Sequence, residues 1–236
     1  MEKLFVVSDI HGHFSVLKNA LEESGFDKNN PDHKLICLGD YFDRGNENKL
    51  VLKFFEQLKN KVLLMGNHEE LLLKLLETGK VLPHNYINGT IATLQEFFGK
   101  FCINPEDDTV DFSGKTSDVK RITEFIEETV NYYETDEFVF VHGFIPDVDY
   151  KIAREEDWQK ARWKRWSEEY TGERPLKNKT LVCGHMPVLI ARLIDNTREI
   201  GDTSIFYGNG LIAIDAGTAD SKKINVLVIE NNTREV

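Results

Sequence analysis

The 236-residue chain holds 40 acidic against 29 basic residues, a net charge of −11, with 41% hydrophobic and 29% charged side chains. That is globular composition with enough apolar mass for a single domain spanning 1–236, and its acidity argues against nucleic acid or an anionic membrane surface as a partner. No apolar run approaches the ~20 residues of a membrane-spanning helix; Met1-Glu2-Lys3 leads into a strand-like run without a signal-peptide pattern; and Cys37, Cys102 and Cys183 show no paired spacing, so free thiols in a reducing, cytoplasmic setting are expected.

In chain order, the short apolar run from Leu4 to Val7 stops at Ser8-Asp9-Ile10-His11-Gly12. Phe14, Leu17, Ala20 and Leu21 follow at helical spacing, and Gly25 ends that helix. The pattern repeats with Leu35 to Leu38, then Gly39-Asp40-Tyr41-Phe42-Asp43-Arg44-Gly45, then a helical face of Leu50, Val51, Phe54, Phe55 and Leu58. A third run, Lys61 to Met65, stops at Gly66-Asn67-His68-Glu69. A helix from about Glu69 to Thr78 follows, with acids in its first turn where the helix dipole favours them. Strand–loop–helix three times over predicts a sheet with parallel neighbours and crossover helices.

From about 80 to 135 no strong strand pattern stands out. Helices are expected at Thr90–Phe98 and about Val119–Tyr133, with the polar, acidic span Asn104–Asp118 between them as loop. The stretch is too long for a simple connection and reads as a helical insertion or lid beside a site. Strands resume at Glu137–Val141, ending in His142-Gly143, and at Thr180–Cys183, ending in Gly184-His185. Between them Trp158 to Tyr170 is aromatic and basic, which packing explains better than base stacking in so acidic a chain. Leu211–Ile214 ends in Asp215, and Ile224–Ile229 reads as a strand at a sheet edge or in a second sheet.

Five strand ends share one chemistry. Asp9 with His11, Asp40 with Asp43, Asn67 with His68, His142, and His185 each stand where an apolar run stops. In an open α/β sheet the carboxyl ends of the strands face the ligand crevice, so such residues can converge. One Asp or His at such a place is ordinarily a turn residue or a packed side chain; five together point to a site. The donors are nitrogen and oxygen without thiolate, which suits manganese, iron or zinc better than calcium or a closed structural zinc site. They are too many for one tetrahedral ion and enough for two, an arrangement that polarises a phosphoryl group and activates water.

Taken in order, Ser8 to Gly12, Gly39 to Gly45, Gly66 to Glu69, His142-Gly143 and Gly184-His185 resemble the motifs of the calcineurin-like metallophosphoesterases. They are most similar to the phosphoprotein phosphatase branch, whose motifs read GDxHG, GDxxDRG, GNHE, HGG and a late GH. The resemblance runs from residue 8 to 185 and implies an α/β fold in which two mixed β-sheets pack as a sandwich flanked by helices, four layers in all. The strands at 211–214 and 224–229 would lie largely in the second sheet. It also implies a phosphatase with two divalent metal ions, manganese before iron or zinc, that cleaves phosphomonoesters by direct attack of a metal-bound hydroxide without a phosphoenzyme. Phosphoserine or phosphothreonine in proteins is the expected substrate, and dinucleoside polyphosphates or other nucleotides are the alternative. Nothing indicates an oligomeric state.

By position the resemblance assigns Asp9, His11, Asp40, Asn67, His142 and His185 to the metals, with Asp40 bridging. His68 would protonate the leaving oxygen, Asp43 would orient His68, and Arg44 would grip phosphate through a bidentate fork. Arg165, in Trp163-Lys164-Arg165, is the expected second phosphate-binding arginine, with Arg162 as its alternative. Two positions depart from the motifs. Ser8 stands for a glycine, and Phe144 stands for the second glycine of HGG, where it is expected to reshape the pocket or its contact with the lid. Asp215 is expected to serve structure or to support a ligand.

Overall fold

Alternation along the strands decides the layering. In β1 (Lys3–Val7), Leu4 and Val6 point to one face, Phe5 and Val7 to the other, and all four are buried. A strand that is apolar on both faces must be covered on both. The computed structural model describes residues 2–194 and 201–230, so Met1 lies outside it. After β1 come α1 (Phe14–Glu23), β2 (His33–Cys37), α2 (Asn48–Gln57), β3 (Lys61–Leu63) and α3 (Asn67–Thr78). β1, β2 and β3 lie parallel, Val6 opposite Ile36 and Ile36 opposite Val62, as the repeated pattern predicts.

The segment 80–135 is only partly helical. α4 (Pro83–Ile87) and α5 (Thr90–Phe98) are followed by a hairpin of β4 (Ile103–Asn104) and β5 (Thr109–Val110), then by α6 (Thr116–Glu127). The stretch expected as loop therefore contains a strand pair. Its turn is closed by side chains: Asn104 Oδ1 accepts the Glu106 N–H and Asp107 Oδ1 the Thr109 N–H. The helix expected to reach Tyr133 stops at Glu127; the Thr129 hydroxyl turns back onto Ile126 O, and Tyr132–Glu134 form β6. Helical periodicity through Val130 is a coincidence of composition, because that side chain is exposed while its backbone bridges to Leu64.

β6 pairs antiparallel with β7 (Phe138–Val141). The chain continues through α7 (Glu155–Arg162), α8 (Trp166–Glu169), β8 (Thr180–Cys183), α9 (Val188–Ile194), β9 (Phe206–Gly208), β10 (Leu211–Ala213), α10 (Thr218–Ser221) and β11 (Leu227–Glu230). The first sheet runs β11-β1-β2-β3 and the second β6-β7-β8-β10-β9. β11 is an antiparallel edge strand, one of the two readings of 224–229, and it corrects the placement the resemblance implies: it lies in the first sheet beside β1. Leu227 joins the core between the sheets, and Glu230 pairs with Lys3 at 2.7 Å.

The sheets meet face to face across Leu4, Val6, Ile36, Leu38, Phe140, Val182 and Ile214. The outer face of the first sheet is covered by α1, α2, α3, α5 and α6, through residues such as Leu17, Phe55, Leu72, Phe97 and Phe125. The second is covered by α7, α8 and α9 through Trp158, Trp166 and Val188. Helix, sheet, sheet, helix is the four-layer order the resemblance implies. At one edge of this sandwich the loops leaving the strands are tied to one another. Asp9 N–H donates to Gly39 O, His11 N–H to Asp40 O, and Gly184 N–H to His142 O.

Candidate active site

The backbone at these strand ends adopts a conformation that side chains resist. Among the described residues eight non-glycines have positive φ, and six of them are Asp9, His11, Asp40, Asp43, Arg44 and His185. Each left-handed residue costs ~1–3 kcal/mol and persists only where its surroundings over-determine it. Close approach is part of that support. A Cβ on Gly184 would stand 1.8 Å from Ser8 Oγ and 2.5 Å from Asp9 Oδ2, so only glycine lets the β8 exit press against the β1 exit.

Asp40 occupies the centre. Its Oδ1 lies 3.5 Å from His142 Nε2, while Oδ2 lies 3.6 Å from His11 Nε2 and 3.8 Å from His68 Nε2. The two oxygens of one carboxylate thus face two separate groups of histidines. Two sets have ligand atoms within 4.8 Å of one another: His11, Asp40 and His68, and Asp40, His142 and His185. Asp9 adjoins the first, its Oδ1 4.0 Å from His11 Nε2, and Asn67 adjoins the second, its Oδ1 2.9 Å from His142 Nε2. All six residues expected to hold metal therefore converge, and His68 stands with them.

The ring orientations test whether a cation fits. His11 Nδ1–H donates to Phe42 O at 3.0 Å and His142 Nδ1–H to Leu38 O at 2.8 Å. A carbonyl can only accept, so Nδ1 carries a proton in both rings and each Nε2 points inward. His142 Nε2 meets the Asn67 amide oxygen at 2.9 Å, a pair that a proton or a cation can join. This nitrogen and oxygen donor set fits a divalent ion of the manganese, iron or zinc kind.

Burial pushes His11 well down, and burial with the neighbouring His142 takes His185 to about 3, so both rings are neutral donors. Burial opposes the charge on Asp40, but the histidines around it, His142 and His68 foremost, outweigh that and hold the carboxyl below the usual range. Behind the cluster, burial pushes Asp9 up, and burial with the Asp9 charge pushes Asp215 well up. Asp215 Oδ1 accepts the Gly217 N–H at 2.7 Å, which gives it the structural place expected of it.

His68 is held differently from the other rings. Its Nδ1 is 2.8 Å from Asp43 Oδ2, and its Nε2 is 3.4 Å from Arg44 Nη2. Burial works against its charged form, but the Asp40 charge and the Asp43 hydrogen bond outweigh that and raise it to about 9. Three further residues complete the surroundings and were not singled out from sequence. Glu69, at the third position of α3, accepts the N–H groups of Asp40, Tyr41 and Gly66 at 2.8, 2.9 and 3.0 Å. The capping-box position three residues after Gly66 is the signal that could have found it. Thr90 and Thr93 donate to Asp43 from 47 and 50 residues away, and no local spacing announces them.

The second arginine divides clearly. Arg162 is only 2% exposed, and its guanidinium is committed to Glu70, Glu155 and Asn131. It is a structural anchor, which removes the alternative. Arg165 is largely exposed, paired among the described residues with Glu168 alone at 3.1 Å, and close enough to His185 for its charge to disfavour protonation of that ring. Gly143 explains the placement. A Cβ there would lie 2.7 to 2.8 Å from the carbonyls of Ala161, Arg162 and Lys164, so the end of α7 presses against the residue after His142. Trp163 consequently stands edge-on to His185, ring centroids 6.2 Å apart. Phe144 corrects another expectation: it is buried in the core of the second sheet, and its N–H donates to Ala161 O at the end of α7.

A two-sheet sandwich with histidine and carboxylate donors at its strand ends defines a metal-dependent phosphoesterase. The family model for calcineurin-like phosphoesterases matches residues 2–212, and the chain belongs to that family. It is 24% identical over 231 residues to serine/threonine-protein phosphatase 2 of Escherichia coli strain K12, covering 96% of this chain and 93% of that one. It is 23% identical over 238 residues to the asymmetrical bis(5'-nucleosyl)-tetraphosphatase PrpE of Oceanobacillus iheyensis, covering 89% and 87%. The cold-active protein-tyrosine phosphatase of a Shewanella species shares the fold, with a TM-score of 0.59 at 18% identity over 98% of this chain and 76% of that one. The protein is a hydrolase of phosphoric esters.

Proposed function

We propose that this hydrolase is a phosphomonoesterase for phosphoserine and phosphothreonine in proteins, working as one domain with two divalent ions, manganese foremost. The observation that carries the reading is Asp40, whose two oxygens face separate histidine groups 3.5 to 3.8 Å away. Asp9, His11 and Asp40 would hold one ion, and Asp40, Asn67, His142 and His185 the other. When bound, such a pair polarises the phosphoryl oxygens and supplies a nucleophile at neutral pH.

The rest is the work of side chains. The Arg44 guanidinium orients the non-bridging phosphate oxygens, and Arg165 approaches them from the α7 side. His68 keeps Nδ1–H on Asp43 and delivers its Nε2 proton to the leaving oxygen as the P–O bond breaks. Burial of both His68 and Asp43 shields the hydrogen bond between them from water. The similarity to a bacterial serine/threonine phosphatase over nearly the whole chain supports the protein substrate. The similarity to a dinucleoside tetraphosphatase favours dinucleoside polyphosphates as the second reading. Among the described residues no helix is long and apolar enough to cross a membrane, and three buried free thiols support action in the cytoplasm.

Competition between phosphopeptides and dinucleoside tetraphosphates at equal concentration with manganese tests the substrate. Preference for the phosphopeptides is expected, and preference for the dinucleotides reverses the order of the two readings. His68→Asn should lower turnover of alkyl phosphates by about 100-fold or more while leaving metal content unchanged.

A further inference from the structure

The segment 80–135 reaches the reaction centre at one place, the first turn of α5. There Thr90 Oγ1 donates to Asp43 Oδ2 at 2.8 Å and Thr93 Oγ1 donates to Asp43 Oδ1 at 2.8 Å. Thr93 Oγ1 also accepts the Asp43 N–H at 3.0 Å, so its single proton is committed to the same residue that its lone pair receives. Just before them, Gly89 O accepts the Arg44 N–H at 3.4 Å. Both threonines are 0% exposed, so neither hydroxyl can exchange the carboxylate for water. Among the described residues the third donor to that carboxylate is His68 Nδ1–H at 2.8 Å.

The effect follows from geometry. A carboxylate held by a histidine alone can turn about its terminal torsion and offer either oxygen. With a separate hydroxyl pinned to each oxygen, its plane is set from both sides. The plane sets the direction in which Oδ2 accepts, and that direction sets the His68 ring and the line along which Nε2 points. Both hydroxyls meet Asp43 from the α5 side, leaving Oδ2 to share its remaining direction with His68 Nδ1–H. A purely structural role, satisfying a buried carboxylate, predicts the same damage for every substrate when a threonine is lost.

We propose that Thr90 and Thr93 are positioning residues that hold Asp43 so that His68 is aimed at the leaving oxygen, making α5 part of the proton-delivery apparatus. This rests on the reading of His68 as the proton donor. It gives the 80–135 segment a task in the chemistry through its contact with Asp43.

The test compares leaving groups in the full chain with manganese. p-Nitrophenolate departs without a proton, whereas the serine alkoxide of a phosphopeptide needs one. Thr93→Val and Thr90→Val should each lower kcat on the phosphopeptide about tenfold or more, the scale of loss for such outer contacts. The same variants should lower kcat on p-nitrophenyl phosphate by no more than about twofold. Metal content should not change, and Thr93→Ser should restore the phosphopeptide rate. Equal losses on both substrates, or no loss on either, overturn the proposal. His68→Asn run in parallel separates the two layers. If it fails to discriminate between leaving groups, the proton-donor reading falls and the proposal with it; if it discriminates and the threonine variants do not, only the proposal falls. Should Thr93→Val not fold, Thr90→Val, which loses a single hydrogen bond, decides the matter.

Discussion

Arg162 and Arg165 are three positions apart, and their surroundings give them opposite fates. Arg162 is buried and satisfied by two carboxylates and an amide; Arg165 faces solvent beside His185. Removing one partner of a buried ion pair usually costs 3–5 kcal/mol, but Glu70 and Glu155 are partly exposed and can rehydrate. Arg162→Ala should therefore cost ~2–3 kcal/mol in urea unfolding. Arg165→Ala should stay within ~0.5 kcal/mol of the parent stability while raising KM and weakening inhibition by inorganic phosphate. The reverse pattern would exchange the two roles.

At the scale of elements, α3 shows how one helix start supplies three neighbouring jobs. Consecutive helical residues point about 100° apart, which follows from 3.6 residues per turn. Asn67 therefore reaches His142, His68 reaches Asp43, and Glu69 reaches back to the N–H groups of the β2 and β3 exits. Glu69→Ala would strand three buried donors, at ~1–3 kcal/mol each. Because Asp40 is held at φ +57 by that contact, the variant should also bind manganese more weakly in a metal titration. Unchanged metal affinity would mean that the other loop hydrogen bonds suffice to place Asp40. Elements were legible where periodicity was local and strong, as in the β1–β3 repeats and α5. Tyr132–Glu134 misled because two aromatic residues fit either a helix face or a strand, and only the β7 edge decides between them.

For the whole molecule the decisive quantity is charge confined at the sheet junction. With metal removed by a chelator, His185 and His68 pull stability in opposite directions along the pH scale. His185 falls to about 3 in the folded chain, so its contribution is complete above the ordinary histidine value near 6.5 and is lost as pH falls toward 3. His68 rises to about 9, so its contribution is complete below about 6.5 and is lost as pH rises through 9. In the metal-free protein the midpoint of thermal unfolding should fall between pH 6.5 and 8.5, where His68 and the buried Glu69, raised to about 8, both lose their contributions; below pH 6.5 the loss from His185 is opposed by Asp9, Glu69 and Asp215, whose carboxyls burial raises. A midpoint that rises steadily to pH 8.5 would show that His68 is not held protonated. Adding manganese at 100 times its dissociation constant should stabilise the fold by ~2.7 kcal/mol if the ion binds only the native state.

What this sequence determined by itself was chemistry at strand ends. Asp9, His11, Asp40, Asn67, His142 and His185 could be read as one cluster because apolar runs, glycines and turn residues mark the strand exits through spacings of a few residues. The family, the layer order and phosphoester hydrolysis came from what the resemblance of those motifs implies. Only the tertiary structure decided which sheet holds the last strand, that Arg162 is an anchor, that Phe144 turns into the core, and that Thr90 and Thr93 grip Asp43. Each of these depends on which surfaces meet across tens of residues, and contact of that kind leaves no period in the chain. The loop at 39–45 combines both: its residue types announce a site, but its left-handed backbone is held by Glu69, α5 and the β1 exit, which only packing brings together.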